Sequence, residues 1–197
     1  SAYMGMHFET ISDLPIQKPR IAFRDVTNQT NQRTMICSLI PPGTATTHKA
    51  PALVRRQGSA RTEAFLLAVL SSIPFDWYAR RWVELSFTFE ILSPMPVPRP
   101  LLEAQIPRRA IEISGKLAAV DQRYAKWAKE VGVPVGSVTD EASKDDLIAE
   151  LDALVALLYG LDESQITHIF ETFHRGWDYK PRLEAVLNHF HTWKDKQ

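Results

Sequence analysis

The sequence is short of the residues that most reactive sites require. One cysteine, Cys37, stands inside an apolar run of a 197-residue chain. A lone cysteine forms neither an internal disulfide nor a cysteine-based zinc site, and in such a run it reads as a small buried hydrophobe. That usage is consistent with a cytoplasmic protein. The 8 glycines are scattered, so there is no glycine-rich phosphate loop. H-E-x-x-H and G-x-S-x-G patterns are absent, and so are an N-P-P-Y-like tetrapeptide, a pair of acids followed by E-x-K, and the zinc-deaminase pattern. The longest apolar run, Ala64–Leu70, is far too short to span a membrane. The opening SAYMGMHFET lacks the basic and apolar regions of a secretory signal, and reads as a cut made within a longer chain.

Net charge is also missing, with 23 Lys and Arg against 23 Asp and Glu. The balance hides an asymmetry. Residues 1–110 carry 13 cations and 8 anions, and residues 111–197 carry 10 and 15. Of the first 13 cations, 11 are arginine, the residue that pairs bidentately with phosphate and guanine. A basic first part and an acidic second part suit a nucleic-acid face followed by a solvated or protein-facing surface. Uneven surface charge alone would look the same.

What is present is a change of period along the chain. Residues 1–19 form a lead-in broken by Pro15 and Pro19. Strands are expected at 21–26 and 34–41, stopped by Pro41-Pro42-Gly43. Thr44–Val54 reads as short extended pieces around a His48-Lys49 loop. A helix is expected over Glu63–Ser72 with Thr62 as its N-cap. PFDWYARRWVE makes a second, with Phe75, Tyr78 and Trp82 on one side and Arg80 and Arg81 towards the other. The alternation of Phe87, Phe89 and Ile91 predicts a strand over Leu85–Leu92. SPMPVPRP then forms a stiff boundary.

Beyond Pro107 the spacing is helical. Ile113, Leu117, Val120, Tyr124, Trp127 and Val131 form a seam spaced 4, 3, 4, 3, 4, ended by Gly132-Val133-Pro134. Ser143 is expected to cap a helix carrying Leu147, Leu151, Leu154 and Leu158, with Gly160 as its stop. Asp162 and Gln165 form a capping box for a helix over 163–174, and Pro181 opens a last one. The fold class expected is α+β. A small mixed sheet with packed helices occupies 1–100, followed by a helical hairpin or bundle in 101–197.

The segment RIAFRDVTNQTNQRTMICSLIP concentrates polar groups between two apolar runs. Its loop, Arg24–Thr34, holds two arginines, four amides and three hydroxyls. Such groups can pair with phosphates and base edges, amides with adenine and arginine with guanine. They equally well satisfy a solvated hairpin loop, and composition does not separate the two. Five histidines, His7, His168, His174, His189 and His191, read as surface or packing residues; His48 differs in adjoining Lys49. Asp145, Asp146 and Asp152 read as helix polarity and solubility.

The order of three segments, Arg20–Gly43, Phe75–Arg81 with Leu92–Pro98, and Asp152–Phe173, resembles the C-terminal target-recognition region of large adenine-N6 DNA methyltransferases. These occur in fused restriction–modification enzymes and phage-defence systems, and type I specificity subunits share the plan. The resemblance implies double-stranded DNA as a partner. It also implies an S-adenosylmethionine-dependent methyltransferase domain of the same parent polypeptide, upstream of this chain. The chain itself would be no enzyme but a sequence reader, its helical part a spacer and docking surface. Arg24, Asn28, Thr30, Asn31, Arg33 and Thr34 would then contact DNA first. His48, Lys49, Arg55 and Arg56 would form a second loop, and Arg80 and Arg81 would clamp phosphates. A protein-interaction module built on the helical seams is the alternative, and a small enzyme of unrecognised type a third.

Overall fold

The computed structural model describes residues 14–28 and 30–196; His7, Gln29 and most of the lead-in lie outside them. The architecture is α+β. Three strands, β1 (Arg20–Phe23), β2 (Cys37–Ile40) and β3 (Ala52–Leu53), form a sheet in the order β2-β1-β3. The sheet is antiparallel throughout rather than mixed, with Arg20 opposite Ile40 and Ile21 opposite Leu53. The central position of β1 explains its sequence: all four residues are buried, so both faces of the strand need covering.

Eight helices follow among the described residues: α1 (Ala60–Ser71), α2 (Ile73–Ala79), α3 (Phe89–Leu92), α4 (Gln105–Ala118), α5 (Ala125–Val131), α6 (Glu141–Leu158), α7 (Glu163–Phe173) and α8 (Lys180–Trp193). Helix α1 lies on β2 and packs against α4 and α5, while α6 runs between α4 and α8. Two apolar clusters result. One joins the sheet to α1, α5 and the proline-rich segment through Phe23, Phe75, Phe87 and Trp127. The other joins α4, α6, α7 and α8 through Ile113, Leu154, Phe170 and Val186. Each such fully buried side chain contributes about 1.5–3 kcal/mol. Both clusters draw on α1 and α4, so residues on either side of SPMPVPRP pack together. Ser114 Oγ donates to the Ala64 carbonyl at 2.6 Å and ties those two helices directly.

Local signals in the chain placed several boundaries well. Asp162 and Gln165 cap α7 reciprocally, Gly132 leaves α5 at φ 91°, and Pro181 sits in the first turn of α8. Two caps lie three residues earlier than expected. Ser59 rather than Thr62 starts α1, with Thr62 closing its capping box, and Asp140 rather than Ser143 starts α6. In α1 the Thr62 hydroxyl is easily taken for the cap itself, since both groups of the box bond across the same turn; in α6 Ser143 only donates its amide to Asp140.

The long seam is not one helix. Helix α4 ends at Ala118, Asp121 caps a short 3-10 turn at Gln122–Tyr124, and α5 starts anew. Val120 stands 60% exposed in the break. The chain folds back there, and Tyr124 donates to the Leu39 carbonyl at 2.8 Å while Trp127 Nε1 donates to Glu63 at 2.9 Å. The spacing picked out residues that are buried on both sides of the break, Ile113, Tyr124, Trp127 and Val131, but not Val120 within it. The expected strand at Leu85–Leu92 reduces to a single bridge between Ser86 and Val26, followed by the helical turn α3. Phe87 and Phe89 both meet the Phe23 ring edge-on, at 5.7 and 5.3 Å, which a bend serves as well as a strand.

Candidate nucleic-acid interface

The loop between β1 and β2 is latched to the helices behind it. The Arg24 amide donates to the Ile36 carbonyl at 2.9 Å, and the Thr27 amide to the Leu85 carbonyl at 3.1 Å. Asn28 Oδ1 then accepts from the Thr30 amide, the Thr30 hydroxyl and the Asn31 amide, turning the chain sharply. Asn31 Nδ2 donates to Thr27 Oγ1 at 3.2 Å. On the inner side, Asp76 of α2 accepts from the amides of Thr34 and Met35 and from Arg33 Nε. The loop is thus shaped by hydrogen bonds that its own polar composition supplies.

These bonds redistribute the residues expected to contact DNA. Thr34 is fully buried, and Arg33 spends its guanidinium on Asp76 and on the carbonyls of Ser71 and Ser72. Arg80 is buried as well. It donates to Thr34 Oγ1 and to the carbonyls of Asn31, Gln32 and Phe173, and lies over the Phe173 ring. Burial pulls its pKa down, with Asp76 opposing. Thr34 and Arg80 therefore hold the loop from within, which corrects their assignment to the DNA-facing surface. Asn28 and Asn31 shape the turn. Asp152 also departs from its expected surface role: it is buried, accepts from the Ile73 amide and pairs with Arg182 at 2.9 Å.

Arg24, Thr30 and Arg81 remain exposed. Arg24 makes no side-chain bond among the described residues. Arg81 lies over the Trp77 ring at 3.9 Å, a stack that keeps its N–H edge free. His48 is exposed, and Lys49 pairs loosely with Asp25 at 3.1 Å. Arg55 and Arg56 line a separate pocket at the opposite end of β1.

Thr30 and Arg81 meet in a cleft of about 540 Å³ between the loop, α2 and the end of α7. Arg80, Trp77, His174 and Arg175 share its lining, which contains no carboxylate among the described residues. A His174 ring nitrogen lies 3.1 Å from the Thr30 carbonyl and the other 2.8 Å from that of Arg175. Trp77 Nε1 donates to Thr172 Oγ1 at 2.9 Å and fixes the indole under Arg81. His174, Arg175 and Trp77 were not legible as site residues. The first two belong to the acidic part of the chain, and their only local signal is a basic pair before Gly176 at a helix end.

Chemically the cleft offers arginine cations, an imidazole and an aromatic face beside a hydroxyl-bearing turn, a set suited to a polyanion with planar groups. Among the described residues no group of three or more His, Cys, Asp and Glu could hold a metal ion. No helix among them is long and apolar enough to cross a membrane. The chain matches no family model, no curated protein and no solved structure.

Proposed function

We propose that this chain is a sequence-specific DNA recognition domain of a DNA methyltransferase or restriction–modification enzyme. It would direct an S-adenosylmethionine-dependent catalytic domain of the same parent polypeptide to its target, in the cytoplasm. The observation that carries the reading is the cleft in which the Thr30 turn faces Arg81 and Arg175 without an opposing carboxylate. Arginines at the cleft set register on phosphates, while the outward loop residues Arg24 and Thr30 reach base edges. The inward set, Arg33, Thr34 and Arg80, contributes by keeping the loop rigid, which lowers the entropy cost of binding.

Anisotropy titrations of duplex DNA against salt test this reading. Arg81→Ala and Arg175→Ala should each weaken binding evenly across sequences and reduce the salt slope by about 1. Thr30→Ala should alter the preference among sequences more than the salt slope. Absence of salt-dependent binding at every ionic strength would sink the proposal.

A protein-interaction role has one observation in its favour. Val26, Trp82 and Leu85 are 53%, 60% and 74% exposed, and the bonding between Thr27 and Leu85 brings the first and last together. Self-association that persists at high salt, without DNA affinity, would support that reading instead.

A further inference from the structure

At the end of β1 away from the loop, a second pocket of about 340 Å³ is walled by Lys18, Arg20, Arg55 and Arg56. The topology brings them together. Because β3 runs antiparallel beside β1, with Ile21 opposite Leu53, the chain leaving β3 passes the start of β1. Arg55 and Arg56 are thereby set against Lys18 and Arg20. Arg55 Nη1 donates to the Gly58 carbonyl at 3.0 Å and closes the wall. No carboxylate lines the pocket among the described residues.

Arg20 is the unusual member. It is 5% exposed and forms no ion pair among the described residues. Its Nη2 donates to the Thr44 carbonyl, and its Nε is buried without a partner. Arg182 also has an unpartnered buried Nε, but Asp152 supplies its counter-charge at 2.9 Å. A guanidinium taken out of water without an anion is costly, and a bound anion removes that cost. Lys18 and Arg56 are exposed and free of ion pairs among the described residues, so the rim is uncompensated too. Among the described residues Arg55 alone of the four is ion-paired, with Glu63 at 3.8 Å from its Nε.

We infer that this pocket binds a phosphate group, with Arg20 and Arg55 in its wall and Lys18 and Arg56 at its rim. Three cations without an ion pair among the described residues, Lys18, Arg20 and Arg56, exceed what one carboxylate would balance, whereas a phosphate offers several strong acceptor oxygens and up to two charges. Guanidinium forks match that geometry. The group comes either from free inorganic phosphate or from a DNA backbone, and the site stands whether or not the cleft around Thr30 reads DNA.

The test titrates the whole chain with inorganic phosphate against chloride at matched ionic strength, following thermal stability and amide NMR shifts. Phosphate should raise the melting temperature and move the amides of Lys18, Arg20 and residues 54–58. The exposed double variant Lys18→Ala/Arg56→Ala should fold as before and weaken phosphate binding at least about tenfold, the loss of a charge-assisted bond. Arg20→Met, which removes the charge and keeps much of the volume, should abolish the response. If it fails to fold, the rim variant alone decides. A duplex arm separates the sources. Competition between duplex and phosphate, with a salt slope lowered by the rim variant, assigns the group to DNA; phosphate binding without competition assigns it to the free ion. If phosphate and chloride act alike and the rim variant changes neither titration, the inference is overturned.

Discussion

Asp76 and Thr34 are 42 positions apart, yet the Thr34 amide lies 3.1 Å from both oxygens of the Asp76 carboxylate. The same carboxylate is fully buried and takes the Met35 amide at 2.9 Å and Arg33 Nε at 2.6 Å. One side chain thus satisfies two backbone donors of the loop and neutralises the arginine beside them. Asp76→Ala should cost about 3–5 kcal/mol, because it leaves buried donors and a charge without a partner. Urea unfolding reads this as a lower midpoint; a loss under about 1 kcal/mol would show that the loop is held otherwise.

Arg80 and Arg81 are neighbours with opposite surroundings. Arg80→Ala should destabilise the fold by about 2–4 kcal/mol, since it strips bonds from the carbonyls of Asn31, Gln32 and Phe173. Arg81→Ala should cost at most about 1 kcal/mol, the scale of an exposed cation–π stack. Only Arg81→Ala should change the salt slope of DNA binding in a fully folded sample. Equal stability losses would contradict the structure.

Glu63 makes stability depend on pH. Burial raises its pKa, with the hydrogen bond from Trp127 and the charge of Arg55 acting against the rise. Between the ordinary carboxylate value and the raised one, the folded state keeps a proton that the unfolded chain has released. That contribution is fully present below the unfolded value and is lost as pH climbs through the folded one. Glu63→Gln keeps an acceptor for Trp127 and has no proton to lose. Its stability curve should be flatter over that window, with higher stability than the parent at neutral pH. Superimposable curves would exclude the effect.

Cys37 is half-buried on β2 and should react slowly in the native protein, because little of it is thiolate. Burial pushes its thiol up to about 11, outweighing the Ser71 hydroxyl at 3.4 Å. Thiolate is therefore scarce at neutral pH. Iodoacetamide labelling at neutral pH, followed by mass spectrometry, should be much slower in the native protein than in urea, and equal rates would contradict the raised pKa.

Gly115 lets α5 approach α4. A Cβ there would stand 2.9 Å from Val131 Cγ1 and 3.1 Å from Val133 Cγ2. Gly115→Ala gains about 1 kcal/mol of helix propensity but overpacks the contact at about 1–3 kcal/mol. The expected result is a net loss of stability by urea unfolding, partly recovered when Val131→Ala is added.

Much of the helical architecture was legible because its signals are local. The Asp162–Gln165 box, Gly132, Gly160 and Pro181 act within one turn, and the chain carries them whatever packs around it. Spacing was less informative about where a helix stops. Val120 fits the seam from Ile113 to Val131 and is exposed at its break, because the turn-back is set by Gly115, Asp121 and the contact of Tyr124 with β2.

The sequence by itself determined an α+β chain with capped helices, an arginine-rich first part and a polar loop between two strands. It could not determine which loop residues face outward. A guanidinium or an amide bonds as readily to a phosphate or a base as to a carboxylate or carbonyl brought near by folding. Only the tertiary structure placed Asp76 under Thr34 and turned Arg33 and Arg80 inward, leaving Arg24, Thr30 and Arg81 outside. It alone set His174 and Arg175 beside Thr30, 144 and 145 positions further along the chain, because the packing of α7 on α2 depends on contacts that no local pattern encodes.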